Sequence, residues 1–398
     1  MSVFGALLAR ADAKALAFAC AVGWFANASL GLAIVLLVQR AGGSFAVAGG
    51  AVAALSLGAG ALAPVRGRLV DRHGGRALLA FAVVQSAALL ILLIGALAGS
   101  PALLAILAAA GAGAAAPPLI AAARARWPRV AGDRLIRTAH ALNALLGDLA
   151  SVLGPAAVGG FALLWGPAAA FGVVGVCPLA AAGLIARVGG GAGRVRSPGD
   201  GSCHGAARES PARCSVLRGN PGMLTVLGCD ALLGVLLGAV EVVGPAFAGS
   251  EGSTALAAVP LAAFAAGSVV SSLWSGRRGR AGTPQRRFLA GFALLAIVLP
   301  LCACARSVAA LATVLAAGGA GYGLLNVALL ELLDELVEPA RAVEAFTWLT
   351  TAQGAGIALG ASVAGALATT SPDRALTVIA LVAPLGALLA FARRGTLP

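Results

Sequence analysis

The chain has 398 residues, 60% of them hydrophobic and 11% charged, with a mean hydropathy of +0.96. That is more apolar surface than the core of one water-soluble domain of this length can hide, so a soluble globular protein is excluded. The net charge of +13 does not point to nucleic acid, because the cations lie between apolar runs rather than on one solvated face.

Apolar stretches of about 20 residues recur along the chain, each long enough at about 1.5 Å per residue to cross a hydrocarbon layer of about 30 Å. A β-barrel would show short alternating segments instead. The expectation is an all-α integral membrane protein. In chain order the spans fall near residues 15–38, 44–64, 77–98, 101–122, 137–163 and 167–186, and the first is too long for a signal-peptide core. Residues 187–222, rich in Gly, Ser, Pro and Arg, read as a solvated linker. Further spans follow near 223–247, 254–274, 286–305, 308–333, 343–368 and 374–392. The expected organisation is therefore twelve helices: a six-helix half at 1–186, the linker at 187–222, and a second six-helix half at 223–398.

Arginine placement gives an orientation, because cations are retained in short cytoplasmic loops. With both termini cytoplasmic, only Arg40, Arg306 and Arg374 fall in outer loops, while Arg66, Arg68, Arg72, Arg76, Arg124, Arg126, Arg129, Arg286 and Arg287 fall inside. Trp127, Trp165, Trp274 and Trp348 lie near predicted helix ends, where interfacial anchors are expected. The basic turn "GRLVDRHGGR" between spans two and three has a counterpart, "WSGRRGRAGTPQRR", between spans eight and nine. A basic turn at the same place in each half suggests duplication, with a path between the halves.

Ionisable groups within hydrocarbon are costly and call for a reason. Asp148 falls in span five, six residues before Gly154-Pro155; Asp230 and Glu241 fall in span seven. The last two are about three turns, or about 16 Å, apart on one helical face. Asp148 and Glu241 are the expected proton or cation sites, with Asp230 as a further acid. Asn27, Asn143, Asn326 and Gln353, together with Gln85 and Tyr322, are neutral candidates for lining the path, against the alternative of interhelical hydrogen bonds. Glu331, Asp334, Glu335 and Glu338, at the end of span ten, are expected to balance neighbouring arginines.

Seven scattered cysteines form no CxxC pair, and Cys203, His204 and Cys214 lack a fourth metal ligand. The one lysine, Lys14, lies outside any G-x-x-x-x-G-K-[ST] loop, and neither a metal-binding His pair nor a G-x-S-x-G nucleophile is present. No metal, cofactor, ATPase domain or catalytic activity is expected.

The turn at residues 67–76 resembles the loop signature of the major facilitator superfamily, roughly G-x-L-x-D-R-x-G-R-[RK], through Gly67, Leu69, Asp71, Arg72, Gly74 and Arg76. Gly75 stands where that family usually has a basic residue. The stretches "LGLAIVLLVQRAGGSFAVAGG", "LGPAAVGG", "AAFAAGS" and "EAFTWLTTAQGAGIALGASVAGAL" are similar to bacterial efflux-type members. The resemblance implies a secondary transporter in the cell inner membrane, exporting a small organic molecule against protons by alternating access, with Asp71 holding the inner ends of the halves together near "RAVEAFTW". Import, or a transport-inactive membrane sensor of the same fold, is the alternative. Span four lacks the buried arginine of many drug/proton antiporters, and Gly154, Pro155, Gly159 and Gly160 only approximate their fifth-span signature.

Overall fold

The computed structural model describes residues 7–188, 220–251, 256–277, 283–337 and 342–398, and these contain helices and turns but no strand. The first half comprises α1 Ala11–Arg40, α2 Phe45–His73, α3 Gly75–Leu97, a fourth span in two pieces, α4 Ala102–Ala114 and α5 Leu119–Arg124, then α6 Trp127–Trp165 and α7 Pro167–Val188. The second comprises α8 Pro221–Ser250, α9 Val259–Arg277, α10 Pro284–Val298 with a 3-10 extension Leu299–Cys304, α11 Val308–Leu336, α12 Ala342–Ala368 and α13 Pro372–Ala392. Eleven of the spans are long and apolar enough to cross a membrane, and the eighth carries a shorter apolar stretch, Val259–Ser272. Large apolar side chains such as Ile94, Leu107, Leu164, Val176, Val270, Ile297 and Leu388 point outward, a surface suited to lipid rather than to water.

Local chemistry sets the turns. The Ser44 Oγ accepts the Val47 N–H at the start of α2, and Gly74, at φ 61°, lets the chain reverse into α3 without a Cβ clash. The Asn220 side chain caps α8 through the Met223 N–H and donates to the Leu336 carbonyl, joining the ends of α8 and α11. At the opposite end a Glu251 carboxylate oxygen accepts the Val308 N–H, placing an anion at the positive start of α11. The end of the bundle with the Gly74 turn is called the motif end, and the other the far end.

Several sequence expectations change. Span four is not continuous over 101–122: α4 stops at Ala114, and α5 begins only after Pro117 and Pro118, neither of which has an N–H to continue the ladder. The fifth helix starts ten residues earlier than 137, at Trp127, and Gly132 at φ 68° puts a kink in it. Trp127 is not an interfacial anchor; it is fully buried beside Cys20, Leu119 and Ala123, whereas Trp165 and Trp274 are more than half exposed. In the motif turn, a Cβ at Gly67 would meet nothing within 4 Å. Gly154 is packed tightly, against the Ser29 hydroxyl, and the helix is not broken at Pro155.

Small residues bring the spans together. Gly234 and Gly238 of α8 sit against the Gln353 and Ile357 carbonyls of α12, while Gly356 and Gly360 of α12 sit against Ala231 and Val235 of α8. This reciprocal small-xxx-small seam replaces side-chain packing with backbone contact, as expected where lipid supplies no hydrophobic drive. The two halves meet along α2 with α12, α6 with α9, and α1 with α8. Wherever a described glycine closely meets the other half, the contact lies between mid-bundle and the far end: Gly49 and Gly365 cross α2 over α12, and Gly159 meets Ala258.

Candidate functional site

α1 and α8 are the most enclosed spans of their halves, and they face each other across the interface. Gly31 of α1 lies where a Cβ would run into the Glu241 carboxylate of α8. The absence of a side chain at residue 31 therefore leaves the space the acid occupies. No hydrogen bond reaches Glu241 among the described residues, so the structure places an acid between the halves with an adjacent glycine as its neighbour rather than a counter-ion.

One face of α1 continues from that contact. Trp24, Asn27 and Gly31 fall at helical spacings of three and four, so they share a stripe. Trp24 donates its indole N–H to Asn143 of α6 at 3.4 Å, and Asn143 is 1% exposed. Asn27, between them, is exposed. A carboxamide between a residue packed on α6 and one packed on α8 faces the gap between the halves, where a polar group can be solvated, and not hydrocarbon.

The second half contributes a compact polar cluster. Asp230 is 4% exposed and accepts a hydrogen bond from the Gln353 amide of α12 at 3.4 Å. Tyr322 of α11 packs its ring against Phe264 of α9, with centroids 5.5 Å apart. Asn326 follows one turn later on the same helix and is exposed. Asp230 and Glu241 are separated by eleven positions, about 20° around α8, so one face of this helix presents an acid to α12 lower down and an acid to α1 toward the far end.

The structure thus brings Asp230 to Gln353, Asn143 to Trp24, and Glu241 to Gly31. Gln85 is buried within the first half, away from this grouping. The side chains of Asp148 in α6 and Asp71 in α2 fall outside the described residues, as do Cys203, His204 and Cys214 in the linker. In the motif turn Arg72 and Arg76 are exposed. Glu331 forms an ion pair with Arg287, as the balancing of charges at the end of span ten anticipated. Gly31, Trp24 and Arg66 were not read as site residues from the sequence. The signal for Arg66 was available, since its charge directly follows "GAGALAPV", an apolar context in which a cation needs a partner. Arg66 is 7% exposed and donates to carbonyls of α4, so the buried guanidinium missing from span four is supplied to it by span two.

Comparison with known proteins agrees with this arrangement. The sequence profile described as Major Facilitator Superfamily matches residues 16–361. An uncharacterized MFS-type transporter, y4rN, of Sinorhizobium fredii (strain NBRC 101917 / NGR234) is 25% identical over 336 residues, covering 82% of this chain and 81% of that protein. Among solved structures, a mutant form of the nucleoside transporter NupG superposes with a TM-score of 0.72 at 15% identity, over 96% of this chain and 98% of that one. The POT family transporter PepTSo gives 0.66 at 13% identity, over 96% and 98%. A bacterial homologue of the human lysosomal transporter Spinster, inward-facing and unoccupied, gives 0.69 at 13% identity, over 96% of each chain. At these identities the likeness is one of fold.

Proposed function

This chain belongs to the major facilitator superfamily, and we propose that it is a proton-coupled secondary transporter that exports a small organic molecule across the cell inner membrane by alternating access. The observation that carries the coupling is the Glu241 carboxylate between α8 and α1 with no counter-ion among the described residues. An ionised carboxylate is costly in such a place, so closing the halves around it favours the neutral acid and opening them favours the charged one. Protonation and closure at the far end are then linked. Asp230, Gln353, Tyr322 and Asn326 on one side, with Asn27 and Asn143 on the other, supply the polar contacts for the transported molecule; Asp148 is a second candidate carrier of protons. Transport does not require a covalent step, and no catalytic role is assigned to any residue.

With both termini cytoplasmic, as the arginine distribution favours, the motif end is the inner end, and the close glycine contacts between the halves support a reading of the far end as closed to the outside. The halves at 1–186 and 223–398 then rock about the linker at 187–222, with Gly67, Asp71, Arg72, Gly74 and Arg76 acting as the inner contact when the cavity faces outward. Import by the same path is the alternative, and it is separated by the direction of the imposed gradient that drives uptake.

The test uses the full chain in proteoliposomes with an imposed pH gradient and an internal pH-sensitive dye. Nucleosides, small peptides and lipophilic cations serve as probes, the first two because solved structures named as a nucleoside transporter and a peptide transporter share the fold. A transported probe should move protons in the wild type, and Glu241→Gln should abolish its uphill accumulation while downhill exchange persists. Full uphill accumulation in Glu241→Gln removes this acid from the mechanism.

A further inference from the structure

The fourth span is interrupted where two residues without N–H groups follow one another. In a continuous helix the Gly113 carbonyl would accept from residue 117 and the Ala114 carbonyl from residue 118. Both are prolines, so both partners are missing. The chain tightens locally, with the Ala116 N–H donating to Gly113 at 3.0 Å, and resumes as α5 with the Ala122 N–H donating to Pro118 at 2.9 Å. The remaining need is met from another helix. Arg66 of α2 directs one guanidinium nitrogen at Gly113 and at Ala114, the latter at 3.2 Å, and the other at the Ala59 carbonyl of its own helix. The two carbonyls that lose their helical partners to Pro117 and Pro118 are those that Arg66 holds.

Glycines make the reach possible. A Cβ at Gly58 would strike the Ala110 carbonyl, and one at Gly113 would strike the Leu55 carbonyl, so α2 and α4 run backbone to backbone up to the break. Beyond it, Leu119 and Ile120 of α5 lie 3.5 Å from the position of a Cβ at Gly23, the residue before Trp24. On its other side α2 crosses α12 at Gly49. The break therefore stands between a helix that meets the second half and the stripe of α1 that faces the site.

We propose that Arg66 is a positioning residue that caps the end of α4 in trans at the Pro117-Pro118 break, so that the interrupted end of the fourth span is held to α2 and moves with it. A guanidinium fork suits two adjacent carbonyls on one helix and a third on another, which no neutral side chain of this length can do. The positive charge also faces the negative end of α4, where a cation is favoured. This assignment is independent of the transported molecule and of the role of Glu241.

Suppression tests it in the full chain in nanodiscs. Arg66→Met is expected to speed amide exchange about tenfold or more over residues 113–124 while leaving residues 102–110 near the wild-type rate, because only the capped carbonyls and the segment after them lose support. Pro117→Ala with Pro118→Ala returns two backbone N–H groups, and in that background the same Arg66→Met change should alter exchange less than about twofold. A residue that merely filled space would not be suppressed by added backbone donors. If Arg66→Met does not fold alone, recovery of folded protein in the triple variant carries the same meaning. An equal effect of Arg66→Met in both backgrounds, or a triple variant as poorly folded as the single one, overturns the assignment.

Discussion

Glu241 and Gly31 show how one position can set the options of another. A methyl at residue 31 would occupy space held by the carboxylate, so Gly31→Ala must move the acid or part α1 from α8. Overpacking of this kind costs about 1–3 kcal/mol, a change of roughly fivefold to a hundredfold in a two-state ratio. Gly31→Ala is therefore expected to cut transport about tenfold at unchanged expression, whereas Gly60→Ala, where a Cβ meets nothing within 4 Å, should leave it near wild type. Flux of any accepted probe at matched protein level checks this, and equal flux in the two variants counts against the contact. The Trp24–Asn143 bond is a milder case. Trp24→Phe keeps an aromatic ring but loses the pyrrole part of the indole with its one donor to a buried amide, an expected loss of about 1 kcal/mol or more readable as a fall in the thermal midpoint. The acids and the amides were legible in the sequence because polarity inside an apolar run stands out. Gly31 was not, since a glycine in a chain with 55 of them carries no mark until its neighbour in space is known.

Elements behave according to how their backbones meet. The α8–α12 seam depends on four glycines in two reciprocal pairs, each against a carbonyl of the partner helix. Gly238→Leu or Gly360→Leu should separate these helices and disturb the Asp230–Gln353 hydrogen bond that spans them, lowering the thermal midpoint more than Gly172→Leu, which faces open space. A detergent melting series measures the ranking, and equal midpoints would remove the seam as a source of stability. Hydropathy disclosed the number and order of the helices, since length and apolarity are local properties. It did not disclose the break in the fourth span. The run remains apolar through Pro117 and Pro118, and the residue that compensates lies 47 positions away on α2. Two adjacent prolines were a readable sign that two carbonyls needed partners, although not of which side chain would supply them.

At the scale of the whole molecule, the halves are in contact from mid-bundle to the far end wherever a described glycine approaches closely across the interface. Orientation then decides on which side of the membrane that contact lies. Arg196 and both termini are expected on the cytoplasmic side, with Glu251 and Asp373 outside, and single cysteines at these positions in a cysteine-free chain will report it through a membrane-impermeant label. Labelling of position 196 from outside intact cells would reverse the direction assigned to the closed end. The central claim, that protonation of Glu241 is linked to closure between the halves, is tested most directly by a distance measurement across the far end. Spin labels replace Ala41 and Thr369, exposed residues of the first and second halves, and distance distributions are recorded at acid and alkaline pH in nanodiscs. The wild type is expected to shift from short distances at acid pH to longer ones at alkaline pH, as an ionised Glu241 drives the halves apart. Glu241→Gln should favour the short distance and keep the same distribution at both pH values while still sampling the open state that exchange needs, and the same pH response in this variant as in the wild type would contradict the account.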